Sequence, residues 1–374
     1  MKVQSILLIS SEYPPGPGGI GRHAADLSLA LANKGYSVDV MASLDYENKH
    51  RINQYIGTLP PKIKLYPFKR IGWFTYIYRV RVVLKQLKKK SYERIIVTGM
   101  FPLWVGAIVK LIFNNKVHVD SFIHGSEVYP GNPILRLLTH GSLKKADHIW
   151  AVSGFTASLL PVGLINKNKL TLLPNGIHSS DWIRYIHSKP FSNWKGYPKL
   201  LTVGNVTLRK GQHRVIKALP ALIKNFPNIH YHAVGLPTRE KEIIELAENL
   251  VVSEHITVHG RLADKEELAM AYKTADVFIM LSENQTNGDV EGFGIAILEA
   301  NHFGLPAIGA KGCGIEDAIK SGTNGELVDG NNELEITDTL KKILGNKADY
   351  SSKLSGWVEK HDWNILIEKF LAKG

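Results

Sequence analysis

Residues 199–224 read KLLTVGNVTLRKGQHRVIKALPALIK, which is an apolar run, a polar loop with glycines and a helical pattern in direct succession. A short strand that passes through such a loop into a helix is the opening of a β-α-β unit. Arg209 and Lys210 stand together in the loop, just before the helix. Two cations at the end of a strand suit a diphosphate, and they are equally compatible with a solvated pair of surface charges.

The same alternation extends along the chain on both sides of this unit. Strands are predicted at residues 5–10, 37–42, 94–98, 117–123, 148–152, 170–173, 199–203, 229–234, 256–258, 277–281 and 306–310. Helices are predicted at residues 22–34, 212–224, 239–250, 264–274, 293–303 and 314–321. Residues 183–198 hold two prolines and no period, which places a linker at 186–198. The sequence therefore predicts an α/β protein with two doubly wound, Rossmann-like domains, 1–185 and 199–355, that face a central cleft.

Composition narrows the class of protein and its partners. The single cysteine among 374 residues excludes a disulfide scaffold and a cysteine-rich zinc site. Residues 1–187 carry 24 Lys and Arg against 10 Asp and Glu, a net +14, whereas residues 188–374 carry 22 against 24, a net −2. This asymmetry indicates an anionic partner for the first half. No stretch has the length and apolarity of a membrane span or a signal peptide, so we expect a soluble protein in a reducing compartment.

Two glycine-bearing segments and one histidine are candidates for ligand binding. The loop GPGGIG at 16–21 matches G-x-G-x-x-G, but Pro14 and Pro15 separate it from the strand, which weakens a dinucleotide interpretation. A plain glycine turn, or a loop that meets the phosphate or acceptor of another ligand, fits it better. His124 follows a predicted strand and could bind a sugar hydroxyl, although a lone histidine is more often structural. The other fourteen histidines show no ligand spacing, and we predict no metal and no cofactor.

The second segment, EGFGIAILE at 291–299, places two carboxylates around a glycine-bearing turn and the start of a helix. Free N–H groups at such a helix start bind phosphate oxygens, and a neighbouring carboxylate suits the paired hydroxyls of a sugar. Isolated carboxylates are usually surface charges, but the apolar helix around Glu299 argues against that reading here.

The basic excess is concentrated in residues 62–90, which hold ten cations and no acid. An apolar stripe runs through Trp73, Ile77, Val80, Leu84 and Leu87 at helical spacing. A basic amphipathic helix with aromatics is typical of a membrane surface, and an ordinary helix with its stripe in the core explains the pattern equally well. The residues of the proposed membrane or acceptor face are Arg70, Trp73, Phe74, Arg81, Lys85, Lys88, Lys89 and Lys90.

Taken in order, these motifs resemble the retaining glycosyltransferase family four, of the GT-B fold, over nearly the whole chain. Glu291 and Glu299 match the family's E-x7-E element, with Lys-Gly upstream at 210–211 and an Asn-Gly-x-Leu-Val motif downstream at 324–328. The other matching motifs include Glu-Tyr-Pro-Pro at 12–15, His-Gly at 124–125, Ala-Val-Ser at 151–153, Pro-Asn-Gly-Ile at 174–177, Val-Gly at 203–204, His-Gly-Arg at 259–261 and the segment 312–316.

The resemblance implies roles for individual residues. Lys210 would bind the donor diphosphate and Glu299 the ribose hydroxyls, while Glu291 and the backbone of 292–295 would hold the transferred sugar. His124 would lie near the donor sugar. The implied donor set is Gly18, Gly19, Asn205, Arg209, Lys210, Arg261, Leu262, Gly292, Phe293, Gly294, Ile295 and Glu299, with His124 and Glu291 closest to the chemistry. Asn205 stands where the family usually has Arg, and Arg209 is the expected substitute.

The resemblance also implies an activity and a location. A UDP- or GDP-sugar would donate its sugar, with retention and without a metal, to a glycan or lipid-linked acceptor of the cell envelope. The acceptor would bind the first domain, residues 356–374 would pack back onto that domain, and the protein would act in the cytoplasm, peripherally at the inner face of the membrane. Two alternatives stay open at this point: a GT-B phosphorylase or epimerase, and a non-enzymatic protein that binds an anionic surface or nucleic acid. No motif supports specific binding of nucleic acid.

Overall fold

The computed structural model describes residues 4–45, 47–113 and 116–373, so the outermost residues of the predicted ranges 1–185 and 356–374 lie outside the described residues. The chain forms two compact units. The first holds the described residues up to Gly176 and those from Trp363 onward, and the second holds Ile177–Asp362, which includes the predicted linker. None of the described helices is long and apolar enough to cross a membrane.

The first unit is built on a parallel sheet of seven strands in the order β3-β2-β1-β4-β5-β6-β7. Its strands are β1 (Ser5–Ser10), β2 (Ser37–Ser43), β3 (Ile63–Phe68), β4 (Arg94–Thr98), β5 (His118–Ile123), β6 (His148–Ala151) and β7 (Leu170–Leu172). Its helices are α1 (Gly19–Asn33), α2 (Lys49–Thr58), α3 (Thr75–Lys89), α4 (Met100–Phe113), α5 (Pro133–Lys145) and α6 (Gly154–Ser158). The six strands predicted for this half are confirmed. Helix α1 begins at Gly19, three residues before the predicted start.

Strand β3 is the element of this sheet that the sequence did not predict. It lies at the sheet edge, where only every second residue needs to be apolar. Lys64, Tyr66 and Pro67 are exposed and break the apolar run, whereas Ile63 and Leu65 are buried. A strand with this composition in a lysine-rich segment resembles a loop.

The second unit has a parallel sheet of six strands in the order β10-β9-β8-β11-β12-β13. Its strands are β8 (Lys199–Val203), β9 (His230–Val234), β10 (Ile256–Gly260), β11 (Val277–Met280), β12 (Ala307–Ala310) and β13 (Gly325–Val328). Its helices are α7 (Gln212–Asn225), α8 (Glu240–Asn249), α9 (Lys265–Thr274), α10 (Ile295–His302), α11 (Ile315–Ala318), α12 (Glu333–Gly345) and α13 (Lys347–Lys360). The doubly wound α/β class is thus confirmed for both halves. The predicted helices 293–303 and 314–321 are shorter in the structure: each begins after a glycine, and the second also ends three residues earlier than predicted.

The end of the chain is divided between the two units. Helix α14 (Trp363–Leu371) buries Trp363, Leu366, Ile367 and Phe370 in the same apolar cluster as β1 of the first unit. Full burial of an aromatic or aliphatic side chain contributes about 1.5–3 kcal/mol. Helix α13 instead belongs to the second unit, so residues 356–362 of the predicted returning segment do not join the first.

The basic segment 62–90 is divided in a similar way. Val80, Leu84 and Leu87 of α3 pack against the core of the first unit. By contrast, Trp73 is 99% exposed and Phe74 is 66% exposed. The C-terminal part of the apolar stripe therefore packs against the core, and its N-terminal part is exposed.

Candidate functional site

The loop between β8 and α7 holds its two cations in a fixed turn. The Thr207 hydroxyl accepts a hydrogen bond from the backbone N–H of Lys210, which caps the short turn Leu208–Lys210. Gly211 then adopts a left-handed conformation with φ 75°, and a Cβ there would lie 1.9 Å from the carbonyl oxygen of Leu281. Glycine is needed at this position both for its backbone and for its size. The turn at Lys210-Gly211 thus fixes the positions of Arg209 and Lys210 at the carboxyl end of the sheet.

Both cations contact the first glutamate of the E-x7-E element. Lys210 Nζ lies 2.8 Å from Glu291 Oε2, and the Arg209 guanidinium contacts the same oxygen. Arg209 also lies 3.1 Å from an oxygen of Asp289. Burial alone would raise the pKa of Glu291, but Lys210 and Arg209 outweigh it and hold that pKa below its ordinary value. The sequence-predicted residues Arg209, Lys210 and Glu291 thus form one buried ionic cluster.

Helix α10 presents the second glutamate. Gly294 precedes the helix in a left-handed conformation with φ 93°, and among the described residues no side chain caps the start of the helix. Glu299 lies one turn further on, 8% exposed, and its Oε2 accepts a hydrogen bond of 2.8 Å from the hydroxyl of Tyr272. Phe293 is buried, so its side chain is part of the core and only its backbone could meet a ligand. A helix start flanked by carboxylates suits a ligand that has both phosphates and hydroxyls.

The other donor residues predicted in the second unit, Asn205, Arg261 and Leu262, lie in loops that follow β8 and β10. Asn205 follows Gly204 after β8, and its carbonyl oxygen accepts a hydrogen bond from the Gln212 side chain. Arg261 and Leu262 follow β10, the first exposed and the second half-buried. These positions belong to the carboxyl edge of the same sheet, which is where ligands of doubly wound sheets bind.

The first unit carries its own polar cluster at the ends of β4 and β5. His124 Nε2 lies 2.7 Å from the Thr98 hydroxyl, and its ring centroid lies 4.8 Å from that of His23. Burial, and next the neighbouring His23, hold the pKa of His124 well below its ordinary value. A neutral imidazole is therefore expected at pH 7, suited to hydrogen bonding with a hydroxyl and unsuited to pairing with a phosphate.

Two carboxylates near this cluster were missed by the sequence analysis. Glu127 accepts a hydrogen bond of 2.5 Å from the backbone N–H of His124, and burial raises its pKa to about 7. Glu12 lies against the glycine loop, where a Cβ on Gly18 would be 1.9 Å from Glu12 Oε2. Gly18 thus accommodates a carboxylate, and Gly19 begins α1 beside it. The motifs Glu-Tyr-Pro-Pro and His-Gly contain or adjoin these residues, but nothing in their spacing shows that Glu127 would be buried or that Glu12 would lie against Gly18.

The predicted membrane or acceptor face is mostly exposed. Arg70, Trp73, Phe74, Arg81, Lys85, Lys88 and Lys89 are exposed. Lys90 is the exception, because its ammonium lies 2.9 Å from the buried carboxylate of Asp39 and so serves the unit's own structure. Within the described ranges, no group of three or more His, Cys, Asp or Glu side chains could hold a metal ion.

Comparisons with known proteins match both units. The family model described as Glycosyltransferase Family 4 matches residues 17–181, and the one described as Glycosyl transferases group 1 matches residues 186–356. A Corynebacterium glutamicum protein named GDP-mannose-dependent monoacylated alpha-(1-6)-phosphatidylinositol monomannoside mannosyltransferase is 32% identical, over 97% of this chain and 96% of its own. A Mycolicibacterium smegmatis protein, GDP-mannose-dependent alpha-(1-6)-phosphatidylinositol monomannoside mannosyltransferase, is 25% identical, over 91% and 89%.

A similar solved structure is that of Anabaena HepE in complex with UDP and glucose. It superimposes with a TM-score of 0.73 at 16% identity and covers 99% of this chain and 100% of its own. That likeness concerns the fold, whereas the relative at 32% identity spans nearly all of both chains. The chain belongs to glycosyltransferase family four and has the GT-B architecture of two Rossmann-like domains.

Proposed function

We propose that this glycosyltransferase moves a hexose from a nucleotide-diphosphate sugar to a hydroxyl of a glycan or lipid-linked acceptor, with retention of anomeric configuration. The observation that carries the proposal is the cluster of Arg209, Lys210 and Glu291 beside the start of α10. A diphosphate would meet both cations and the open N–H groups after Gly294, and Glu291 would then turn to the hydroxyls of the sugar. Glu299 would bind the ribose.

In the proposed reaction the bond between the anomeric carbon and the diphosphate oxygen breaks, and its electron pair leaves with the diphosphate. The acceptor oxygen forms the new bond on the same face of the sugar, and the acceptor proton passes to the leaving phosphate oxygen. Arg209 and Lys210 neutralise the charge that develops on the diphosphate, so the reaction needs no metal ion. His124, as a neutral imidazole, would position a hydroxyl of the donor sugar, with Gly18 and Gly19 on the acceptor side.

The donor base is proposed from the relatives. Two proteins that match most of this chain are named as GDP-mannose-dependent, which favours GDP-mannose over a UDP-sugar. Arg261, Leu262 and the polar loop 283–290 are the segments we expect to select the base and sugar. The side chains of these segments differ in charge and size. An enzyme discriminates among nucleotides through the contacts that such side chains make with the base and the sugar.

We also propose that the acceptor side docks on an anionic membrane at the cytoplasmic face. The aromatic–basic surface, as we call it, comprises Trp73, Phe74, Tyr76, Ile77, Arg70, Arg81, Lys85, Lys88 and Lys89. Exposed aromatics beside exposed lysines suit the interface of an anionic bilayer. In a liposome flotation assay, neutralising Lys85, Lys88 and Lys89 should release the protein from anionic vesicles. Neutralising the exposed Lys167, Lys369 and Lys373 should not, and absence of binding by the wild type would contradict this part of the proposal.

The activity is tested by slow hydrolysis of donors. Purified protein is incubated with GDP-mannose and with UDP-glucose, and proton NMR follows the anomer that is first released. We expect one donor to be cleaved with retention, and the Lys210→Ala and Glu299→Ala variants to lose this activity while they stay folded. Lys224→Ala, an exposed lysine on the same helix α7, is the matched control. Turnover by Lys210→Ala at the wild-type rate would contradict the site, and release of the opposite anomer would contradict retention.

A further inference from the structure

A tyrosine behind the donor site contacts the glutamate assigned to the ribose. Tyr272 lies near the end of α9 and is 1% exposed. Its hydroxyl donates a hydrogen bond of 2.8 Å to Glu299 Oε2. The motifs in the sequence do not include Tyr272, because it lies 27 residues before Glu299 on a different helix.

The tyrosine ring is itself held by three aromatic neighbours, one of which is Phe278 with ring centroids 6.3 Å apart. Phe303, which follows α10, stacks on it with ring centroids 5.7 Å apart and an angle of 12° between the ring planes. Trp182 meets the ring edge-on at 6.4 Å and contacts Phe303 at 5.5 Å. The three rings restrict the Tyr272 hydroxyl to one place, since a buried ring among aromatic neighbours has no free rotamer.

We propose that Tyr272 is a positioning residue for the donor: it occupies one oxygen of Glu299 and so orients the carboxylate toward the 2′- and 3′-hydroxyls of the ribose. This inference rests on the proposed function, which assigns the ribose to Glu299. A carboxylate on a flexible side chain must lose rotamer freedom when it binds a diol, and a hydrogen bond that fixes it beforehand reduces this cost. Tyr272 touches neither the sugar nor the diphosphate in this account, so it should affect donor binding and leave the chemical step unchanged.

The proposal is tested with the Tyr272→Phe variant, which removes only the hydroxyl. Binding of GDP, UDP and their 2′,3′-dideoxy counterparts is measured by calorimetry on the full chain. Ordering one flexible side chain on binding corresponds to a roughly two- to tenfold change in affinity, and we expect a loss of that size for the ribonucleotide. The Tyr272→Phe variant should bind the dideoxy nucleotide with the same affinity as the wild type. In donor hydrolysis, KM should rise by a similar factor with kcat unchanged.

The chain offers a matched control for this substitution. Tyr350 is also buried, and its hydroxyl also donates to a glutamate, Glu326, elsewhere in the second unit. Tyr350→Phe removes the same group from the same kind of pair, so it should lower stability without changing nucleotide affinity. Phe303→Leu, which loosens the ring and keeps the hydroxyl, should weaken ribonucleotide binding less than Tyr272→Phe. It provides a second variant should the first fail to fold.

The outcomes separate this inference from the proposed function. If Glu299→Gln weakens ribonucleotide binding and Tyr272→Phe binds like the wild type, Tyr272 has no positioning role. The same conclusion follows if Tyr272→Phe weakens the dideoxy nucleotide as much as the ribonucleotide. If Glu299→Gln leaves both GDP and UDP binding unchanged, the proposed function is contradicted and this inference with it. In the double variant, the loss should equal that of Glu299→Gln alone, because Tyr272 acts through Glu299.

Discussion

Replacing Lys210 with Met removes one of the two cations that compensate the buried carboxylate of Glu291. The side chain of Lys210 is 15% exposed and that of Glu291 is 9% exposed, and their charged atoms lie 2.8 Å apart. A hydrogen bond to a charged group contributes about 1.5–3 kcal/mol, so we expect a loss of about 2 kcal/mol in the free energy of unfolding of the second unit. For a unit of this size, that loss lowers Tm by roughly 4–8 °C.

The same substitution should abolish donor hydrolysis for a different reason. Lys210 is proposed to meet the diphosphate, and removing a charge that stabilises the leaving group costs on the order of 100-fold or more in kcat. A second substitution separates the two effects. In Lys210→Met with Glu291→Gln, the uncompensated carboxylate is gone, so part of the stability should return while activity stays lost.

The assays are chemical denaturation in parallel with donor hydrolysis, on the wild type and on three variants: Lys210→Met, Glu291→Gln and the double variant. Equal stability of Lys210→Met and the wild type would refute the ionic cluster as described. Donor hydrolysis by the double variant at the wild-type rate would refute the role of both residues in the site.

Three further predictions follow from the structure. Burial lowers the pKa of His230 to about 4 and of His232 to about 3, and also lowers that of His259. The unfolded chain therefore binds more protons below pH 6.5, so the free energy of unfolding measured in urea should fall as the pH is lowered from 6.5 to 4, by at most about 1.4 kcal/mol per pH unit for each histidine; a flat profile would contradict their burial. Gly211→Ala should destabilise the second unit by more than 1 kcal/mol in denaturant unfolding, because its Cβ would collide with a backbone carbonyl; a near-neutral effect would contradict the left-handed turn. Donor hydrolysis should persist in excess EDTA, since Arg209 is proposed to supply the charge that a metal would otherwise provide; loss of activity that Mg²⁺ restores would count against that step.

Most of the architecture could be predicted from the sequence, because buried parallel strands are continuous apolar runs. Residues 6–9 and 277–281 are of this kind, and both are fully buried. The elements that were missed lack that signature. Strand β3 alternates with exposed lysine and tyrosine at a sheet edge, and α13 was not predicted as a helix separate from α14. Which unit each of these two helices joins is decided by long-range packing, as for Trp363 against the β1 cluster.

In the candidate site, too, local sequence patterns predict some features, and others depend on long-range packing. Arg209, Lys210 and Glu291 could be named from local motifs, because Lys210 and Glu291 each precede a glycine and Arg209 stands next to Lys210. Their mutual contact could not, since Lys210 and Glu291 are 81 residues apart. Tyr272 had no motif at all: its role depends on a hydrogen bond between two helices, which a spacing rule within one helix does not describe. A local sequence motif therefore does not predict residues that act through contacts between different helices, strands or loops.

The most direct test of the central claim, a nucleotide-sugar site built on Arg209, Lys210 and the E-x7-E element, is a calorimetric titration of GDP and UDP into the purified protein. We predict that one of the two binds at a single site, and that Lys210→Ala weakens this binding at least tenfold, the loss of one charged contact. Lys224→Ala should bind like the wild type. Absence of binding for both nucleotides, or equal affinity in the wild type and Lys210→Ala, would contradict the account.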